Sequence, residues 1–259
     1  MWMADLLVKQ KDAILEITLN RPQSLNAFSV EMIEDLTGVV REAQMRQDVR
    51  ALVVSGAGRS FSTGGDVKTM GNVSPVHVYE HVGKLNACIL AMQALNKPII
   101  AAVHGFAAGA GFNLAMACDL IVAAEDSQIV LSFAQVGLIS DGGGSYFLPR
   151  LVGLHIAKEW LFLADPIPAQ RAFELGIVNR IVPASEVQTE AMKLAQRLAD
   201  GPSLAFGMMK KILNSSFPSS LADVLEAERT AQAMMVTTAD HLEGVRAFQE
   251  KRHPKFQGK

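Results

Sequence analysis

The chemistry of this chain concentrates between Val103 and Ser145. Two glycine-rich turns lie there, His104-Gly-Phe-Ala-Ala-Gly-Ala-Gly-Phe-Asn113 and Ile139-Ser-Asp-Gly-Gly-Gly-Ser145. Each opens a segment of helical character, and the first N–H groups of a helix have no carbonyl partner within it. With the helix dipole behind them, such groups suit an oxygen that carries negative charge. A third stretch, Gly56-Ala-Gly-Arg-Ser-Phe-Ser-Thr-Gly-Gly-Asp66, is a loop that can bring backbone close to a ligand. Asp141 adds a carboxyl group to the second turn. At a helix start it is a good N-cap, and its second oxygen can face a ligand at the same time. His77 and His81 share a helix face with Glu80 nearby, but no third metal ligand accompanies them, and solvated helix residues are expected. His104 reads as structural. Neither a Ser-His-Asp order nor a Gly-Lys-Ser phosphate loop stands out.

Several elements must hold these turns in place. Leu6–Gln10 and Ala13–Asn20 read as paired strands turned at Lys11-Asp12, with period-two alternation, and Arg21-Pro22 ends the second. Ser29 is a candidate N-cap for a helix over Val30–Gln44, where Val30, Ile33, Leu36 and Val40 share a face. Val49–Ser55 and Pro98–Val103 are short apolar runs, typical of strands buried on both faces of a parallel sheet. Helices are predicted over Val76–Leu95 and 109–117, then a strand over Leu120–Ala123. This alternation predicts a layered α/β core. Beyond Arg150 the pattern is helical, interrupted at Pro166, Pro168, Gly201-Pro202 and Pro218, with one short strand in Ile177–Val182. The reading is an α/β core over residues 1–200 and a helical region over 201–259, without internal repeats.

Bulk properties exclude several classes. With 259 residues, 49% of them hydrophobic, the chain can bury a sizeable core. A net charge of −2 supplies no global field for nucleic acid or anionic membrane. No apolar run approaches the ~20 residues of a membrane span. Cys88 and Cys118 lie in apolar surroundings, as expected of buried thiols in a reducing compartment. The opening Met-Trp-Met-Ala-Asp lacks the pattern of a signal peptide, so a cytoplasmic location is expected.

Taken in order, the motifs form a recognisable set. They are Leu19-Asn-Arg-Pro-Gln-Ser-Leu-Asn-Ala27, Phe61-Ser-Thr-Gly-Gly-Asp-Val67, Lys97 through Gly111, Phe147-Leu-Pro-Arg-Leu-Val-Gly153 and Ala172 through Val182. Over nearly its whole length the chain resembles the enoyl-CoA hydratase/isomerase (crotonase) superfamily. The tail Ser145-Tyr-Phe-Leu-Pro-Arg-Leu-Val-Gly153 is similar to the phenylacetate-pathway isomerase branch. The resemblance implies a crotonase-like spiral of β-β-α units with a helical C-terminal trimerisation region. It also implies acyl-CoA thioester substrates and no separate cofactor, coenzyme A being part of the substrate.

By family pattern, the oxyanion donors are the N–H groups of Gly65 and Ala110. Ala110 replaces a glycine found in many relatives, which a backbone donor tolerates. The acyl-CoA contacts map to Ser24, Leu25, Ala27, Gly65, Asp66, Val67 and Lys68, with Lys68 reading equally as a solvated lysine. The two glutamates of the hydratases correspond to Asn113 and Phe133, and neither can exchange a proton at neutral pH. Asp141 remains as the carboxylate, and one carboxylate suits a 1,3-proton shift. Phe133, Phe112 and Val136 could line an apolar wall that raises its pKa. The expected activity is therefore enoyl-CoA double-bond isomerisation. The alternatives are hydration, another crotonase reaction such as thioester hydrolysis, or acyl-CoA binding without turnover. Apolar faces at Met208, Met209, Leu213, Leu221, Leu225, Met234 and Met235 call for a partner or for internal packing, and the resemblance implies a homotrimer or hexamer.

Overall fold

The computed structural model describes residues 5–66, 71 and 74–259. The chain begins with a hairpin, β1 (Leu6–Lys11) and β2 (Ile14–Leu19), then α1 (Val30–Met45), β3 (Ala51–Gly56) and α2 (Pro75–Ala94). Next come β4 (Ile99–Val103), β5 (Phe106–Ala108), α3 (Ala110–Met116), β6 (Leu120–Ala124) and β7 (Gln128–Val130). They are followed by α4 (Gly144–Val152), α5 (Leu154–Leu163), β8 (Ile167–Pro168), α6 (Ala169–Glu174), β9 (Arg180–Val182) and α7 (Val187–Ala199). The end of the chain is helical: α8 (Ser203–Ser216), α9 (Leu221–Met235) and α10 (Ala239–Gln249).

The main sheet has the order β1-β2-β3-β4-β6-β9. Only the opening hairpin is antiparallel; the other neighbours pair in parallel. Because strand side chains alternate, each central strand serves two cores. Leu52 and Val54 of β3 pack with Leu36 and Val40 of α1 and with Leu85 and Met92 of α2. Ala51 and Val53 of the same strand join Val187, Ala191 and Leu194 of α7 on the opposite face. This two-sided burial explains why the strand sequences are apolar throughout.

The predicted elements are present with ends shifted by a few residues, and Ser29 caps α1 by accepting from Met32 N–H at 3.1 Å. A second sheet, β5-β7-β8, has no counterpart in the predicted elements. Its strands hold two or three residues each, too few to display a period. The helical C-terminus is tied to the core by polar contacts. Lys210 of α8 pairs with Asp119 at 2.8 Å, and Asp119 also accepts from Ile99 N–H at 2.7 Å. Arg50 donates to Ser203 Oγ at 2.8 Å and to the Phe256 carbonyl at 3.2 Å. Met209, Leu213, Leu221, Leu225 and Met234 are all more than half exposed on this chain. A cavity of about 1070 Å³ opens between α8, α9 and α10, remote in sequence from both glycine turns.

Candidate active site

Asn26 organises the first wall of the site. It sits in the left-handed region with φ 56°, which an Asn adopts more readily than most side chains. Its side-chain amide donates to the carbonyls of Ala57 and Ser60 at 2.8 Å each, and of Phe61 at 3.1 Å, while its backbone carbonyl accepts from Ser62 Oγ at 2.7 Å. The segment 24–28 is thereby laid along residues 62–65. Thr63 N–H donates to Leu25 O at 3.1 Å, Phe28 N–H donates to Gly64 O at 2.7 Å, and Phe28 bridges Gly65. The structure thus brings together Ser24, Leu25, Ala27, Gly65 and Asp66. Arg21 lies 3.9 Å from the Asp66 carboxylate. Val67 and Lys68 lie outside the described residues.

On its other edge the same loop meets the first glycine turn. Ser62 bridges Ala107, and Ala108 N–H donates to Ser62 O at 2.8 Å. Gly64 has φ +75°, and a Cβ there would lie 2.7 Å from Ala110 N and 2.8 Å from Gly111 N. Only glycine permits both that conformation and that approach. In the parallel bridge, Phe28 engages the carbonyl before Gly65, so the N–H of Gly65 points away from Phe28. Ala110 opens α3, so its N–H has no partner within the helix. The loop that carries Gly65 and the helix start that carries Ala110 are thus packed together at Gly64.

The Phe133 side chain approaches this turn from the other side. Its ring comes within 3.6 Å of where a Gly109 Cβ would stand, and it is half-buried against the core. Phe112 belongs to the core at 1% exposure rather than to a pocket wall, and Val136 is 49% exposed.

Asp141 is held beside the same helix. Asn113 of α3 is fully buried, and its Nδ2 donates to Asp141 O at 2.7 Å and to Ser140 Oγ at 3.1 Å. Ala110 and Asn113 stand three residues apart on α3 and are therefore neighbours on one face. The N-cap reading of Asp141 does not hold. α4 starts at Gly144, its cap residue is Gly143 with φ 87°, and no side chain caps it. Asp141 Oδ1 is instead buried with no hydrogen-bond partner. Burial pushes the carboxyl above the usual carboxylate range, against a smaller opposing effect of its own backbone N–H. Leu85 of α2 packs against the next residue, 3.2 Å from where a Gly142 Cβ would stand. The contributions of Asn26, Ser140 and Leu85 are absent from the motif reading. Asn26 alone had a signal, as a turn-forming residue inside the motif ending at Ala27.

The remaining candidates stand apart. His77 and Glu80 are exposed on α2, and His81 is held below its ordinary pKa first by burial, then by the charge of His77 and Lys84. Among the described residues, no three His, Cys, Asp or Glu are grouped to hold a metal ion. The His104 ring hydrogen-bonds Gly58 O at 2.9 Å, which ties two loops together. Cys88 and Cys118 are buried free thiols. No helix among the described residues is long and apolar enough to cross a membrane.

Comparison with known proteins agrees with this architecture. The family model described as enoyl-CoA hydratase/isomerase matches residues 9–259. The 1,2-epoxyphenylacetyl-CoA isomerase of Escherichia coli is 35% identical, over 99% of this chain and 100% of the relative. The crotonyl-CoA hydratase of Syntrophomonas wolfei is 32% identical, over 97% of each. The crystal structure of an enoyl-CoA hydratase from Bacillus anthracis superposes with a TM-score of 0.94 at 30% identity, covering 98% of this chain and 100% of that one. The fold is thus the crotonase-like α/β spiral with a helical C-terminal region. With its paired loops, its buried carboxyl oxygen and a match along nearly its whole length, this chain belongs to the enoyl-CoA hydratase/isomerase family.

Proposed function

We propose that this enzyme moves the double bond of an enoyl-CoA, with Asp141 as the single acid/base. One observation carries the reading. Asp141 has a buried oxygen with no partner beside α3; the family resemblance supports the reading, since by its pattern Asn113 and Phe133 stand where hydratases carry glutamates. The thioester oxygen is held by Gly65 N–H and Ala110 N–H. The Asp141 carboxylate takes a proton from the α-carbon of a 3-enoyl-CoA, and the electron pair moves onto the thioester oxygen as a dienolate. The carboxylic acid then returns that proton to the γ-carbon, leaving the double bond conjugated. A raised pKa suits this role, since a base that must also act as an acid works best near the operating pH. Hydration needs a second group to activate water, and the Asn113 amide has no proton to accept or release. Ser24, Leu25, Ala27 and Asp66 form the coenzyme A side of the site among the described residues, and the family pattern adds Val67 and Lys68 in sequence. The exposed apolar faces of α8 and α9 fit self-association into a trimer or hexamer, which solution mass measurement tests.

The test uses 3-hexenoyl-CoA, followed by the absorbance of the conjugated thioester. Conversion that Asp141→Asn lowers by ~10²–10⁴ supports the reading, the range expected for general acid–base catalysis. An Asp141→Asn variant that converts at the parental rate sinks it. The name of the Syntrophomonas relative favours hydration as a second reading, for which 2-hexenoyl-CoA would give 3-hydroxyhexanoyl-CoA.

A further inference from the structure

Asn113 carries a cost that packing alone would not select. Its side-chain amide spends Nδ2 on the Asp141 carbonyl at 2.7 Å and on Ser140 Oγ at 3.1 Å. Because that carbonyl can only accept, the amide cannot be turned around. Its Oδ1 is left buried without a donor. An apolar side chain of the same size would leave no such orphan acceptor. The surroundings hold the amide closely. A Cβ on Gly144 would collide with Ser140 Oγ and lie 2.6 Å from both Asn113 Nδ2 and Oδ1. Leu85 packs from α2 against Gly142, the residue after Asp141.

We propose that Asn113 is a positioning residue, its amide clamping the Ser140–Asp141 segment so that the Asp141 carboxyl group keeps a fixed direction relative to the Ala110 N–H. This rests on the assignment of Asp141 as acid/base. α3 carries one oxyanion donor at Ala110 and the clamp one turn later, so a single rigid element sets the spacing of base and oxyanion site. That spacing matters because a misplacement of about 1 Å costs on the order of 10²-fold in rate. An amide suits the task where a carboxylate does not. Asp or Glu at 113 has no hydrogen to donate when ionised, and its charge would stand against that of Asp141. The residue at the lost glutamate position therefore takes part in the one-carboxylate chemistry. Among the described residues no charged group contributes to the Asp141 shift. The neighbouring elements present Leu85 from α2, Asn113 from α3 and Phe147 from α4, none of which titrates.

The full chain is compared with Asn113→Leu, Asn113→Ala and Ser140→Ala on 3-hexenoyl-CoA, with Asp141→Asn alongside. For Asn113→Leu and Asn113→Ala, kcat is expected to fall ~10- to 100-fold with KM nearly unchanged. The acid limb of the kcat/KM–pH profile moves to lower pH, because a loosened loop lets water reach the carboxylate. Ser140→Ala gives a smaller change in the same direction. A folded Asn113→Leu with parental kcat and an unmoved limb overturns the clamp, as does a loss explained wholly by unfolded protein. If neither Asn113 variant folds, Ser140→Ala decides, and a parental kcat and limb there also overturn it. Asp141→Asn separates the two levels. If it is active, the acid/base assignment fails. If it is inactive while Asn113→Leu behaves as the parent, only the clamp fails.

Discussion

The side-chain amide of Asn113 donates a 2.7 Å hydrogen bond to the backbone carbonyl of Asp141. The bond joins the helix behind the first glycine turn to the loop of the second. Asp141 itself is half-buried, and one of its carboxyl oxygens, Oδ1, is buried without any partner. A carboxylate kept this way suits chemistry better than stability.

Replacing Asp141 by Asn should therefore stabilise the fold at neutral pH while lowering turnover by ~10²–10⁴. Burial raises the folded pKa of this carboxyl above its unfolded value. Its contribution to stability is full below the unfolded pKa and is lost as pH rises through the folded one. Thermal melts should show Asp141→Asn more stable than the parent at pH ~7, with the difference vanishing below pH ~4. A variant less stable at neutral pH would contradict this account.

Gly64→Ala should damage the oxyanion site without touching a side chain. The added methyl would meet Ala110 N at 2.7 Å in a backbone conformation with φ +75°. If the neighbouring N–H group is displaced from the thioester oxygen, kcat falls by ~10²–10³. The strained conformation adds a stability loss of ~1–2 kcal/mol. Steady-state kinetics with denaturant titration checks both, and near-parental kcat would argue that the two loops do not form one site.

Removing the amine of Lys210 tests how firmly the helical C-terminus belongs to the core. Lys210 donates to Asp119 and to the Lys97 carbonyl, and Asp119 is raised by burial even with this partner in place. Lys210→Met leaves the carboxylate without a counter-charge, at a cost of ~3 kcal/mol for a mostly buried pair. The cost should grow with pH, since a raised carboxyl loses its stabilising contribution as pH rises. Equal destabilisation at pH ~5 and ~8 would show that the ion pair is not its origin.

Neither cysteine should react while the protein is folded. Burial pushes the Cys88 thiol up to about 11 and raises Cys118 further, so the thiolate that attacks reagents is scarce in both. Thiol titration should count no fast-reacting group in the native protein and 2 after unfolding. Rapid native labelling would point to local opening around α2 or α3.

By itself, the sequence determined what local chemistry and period can encode. The alternation in Ala13–Leu19, the apolar runs at Val53 and Ile100, and the cap at Ser29 specify their elements within a few neighbours. The ordered motifs around Gly64, Gly109 and Asp141 carry the family. What only tertiary structure decided is non-local. The close approach of Gly64 to Ala110 N depends on Asn26 gathering three carbonyls of a distant loop. Strands as short as β5, β7 and β8 become strands only by pairing with one another. Locally, Asp141 reads as a helix cap. In the fold, Gly143 caps the helix and Asn113 holds the Asp141 backbone, and the carboxyl oxygen Oδ1 is left buried without a partner. A side chain's local preference yields when contacts from another element fix the backbone that carries it.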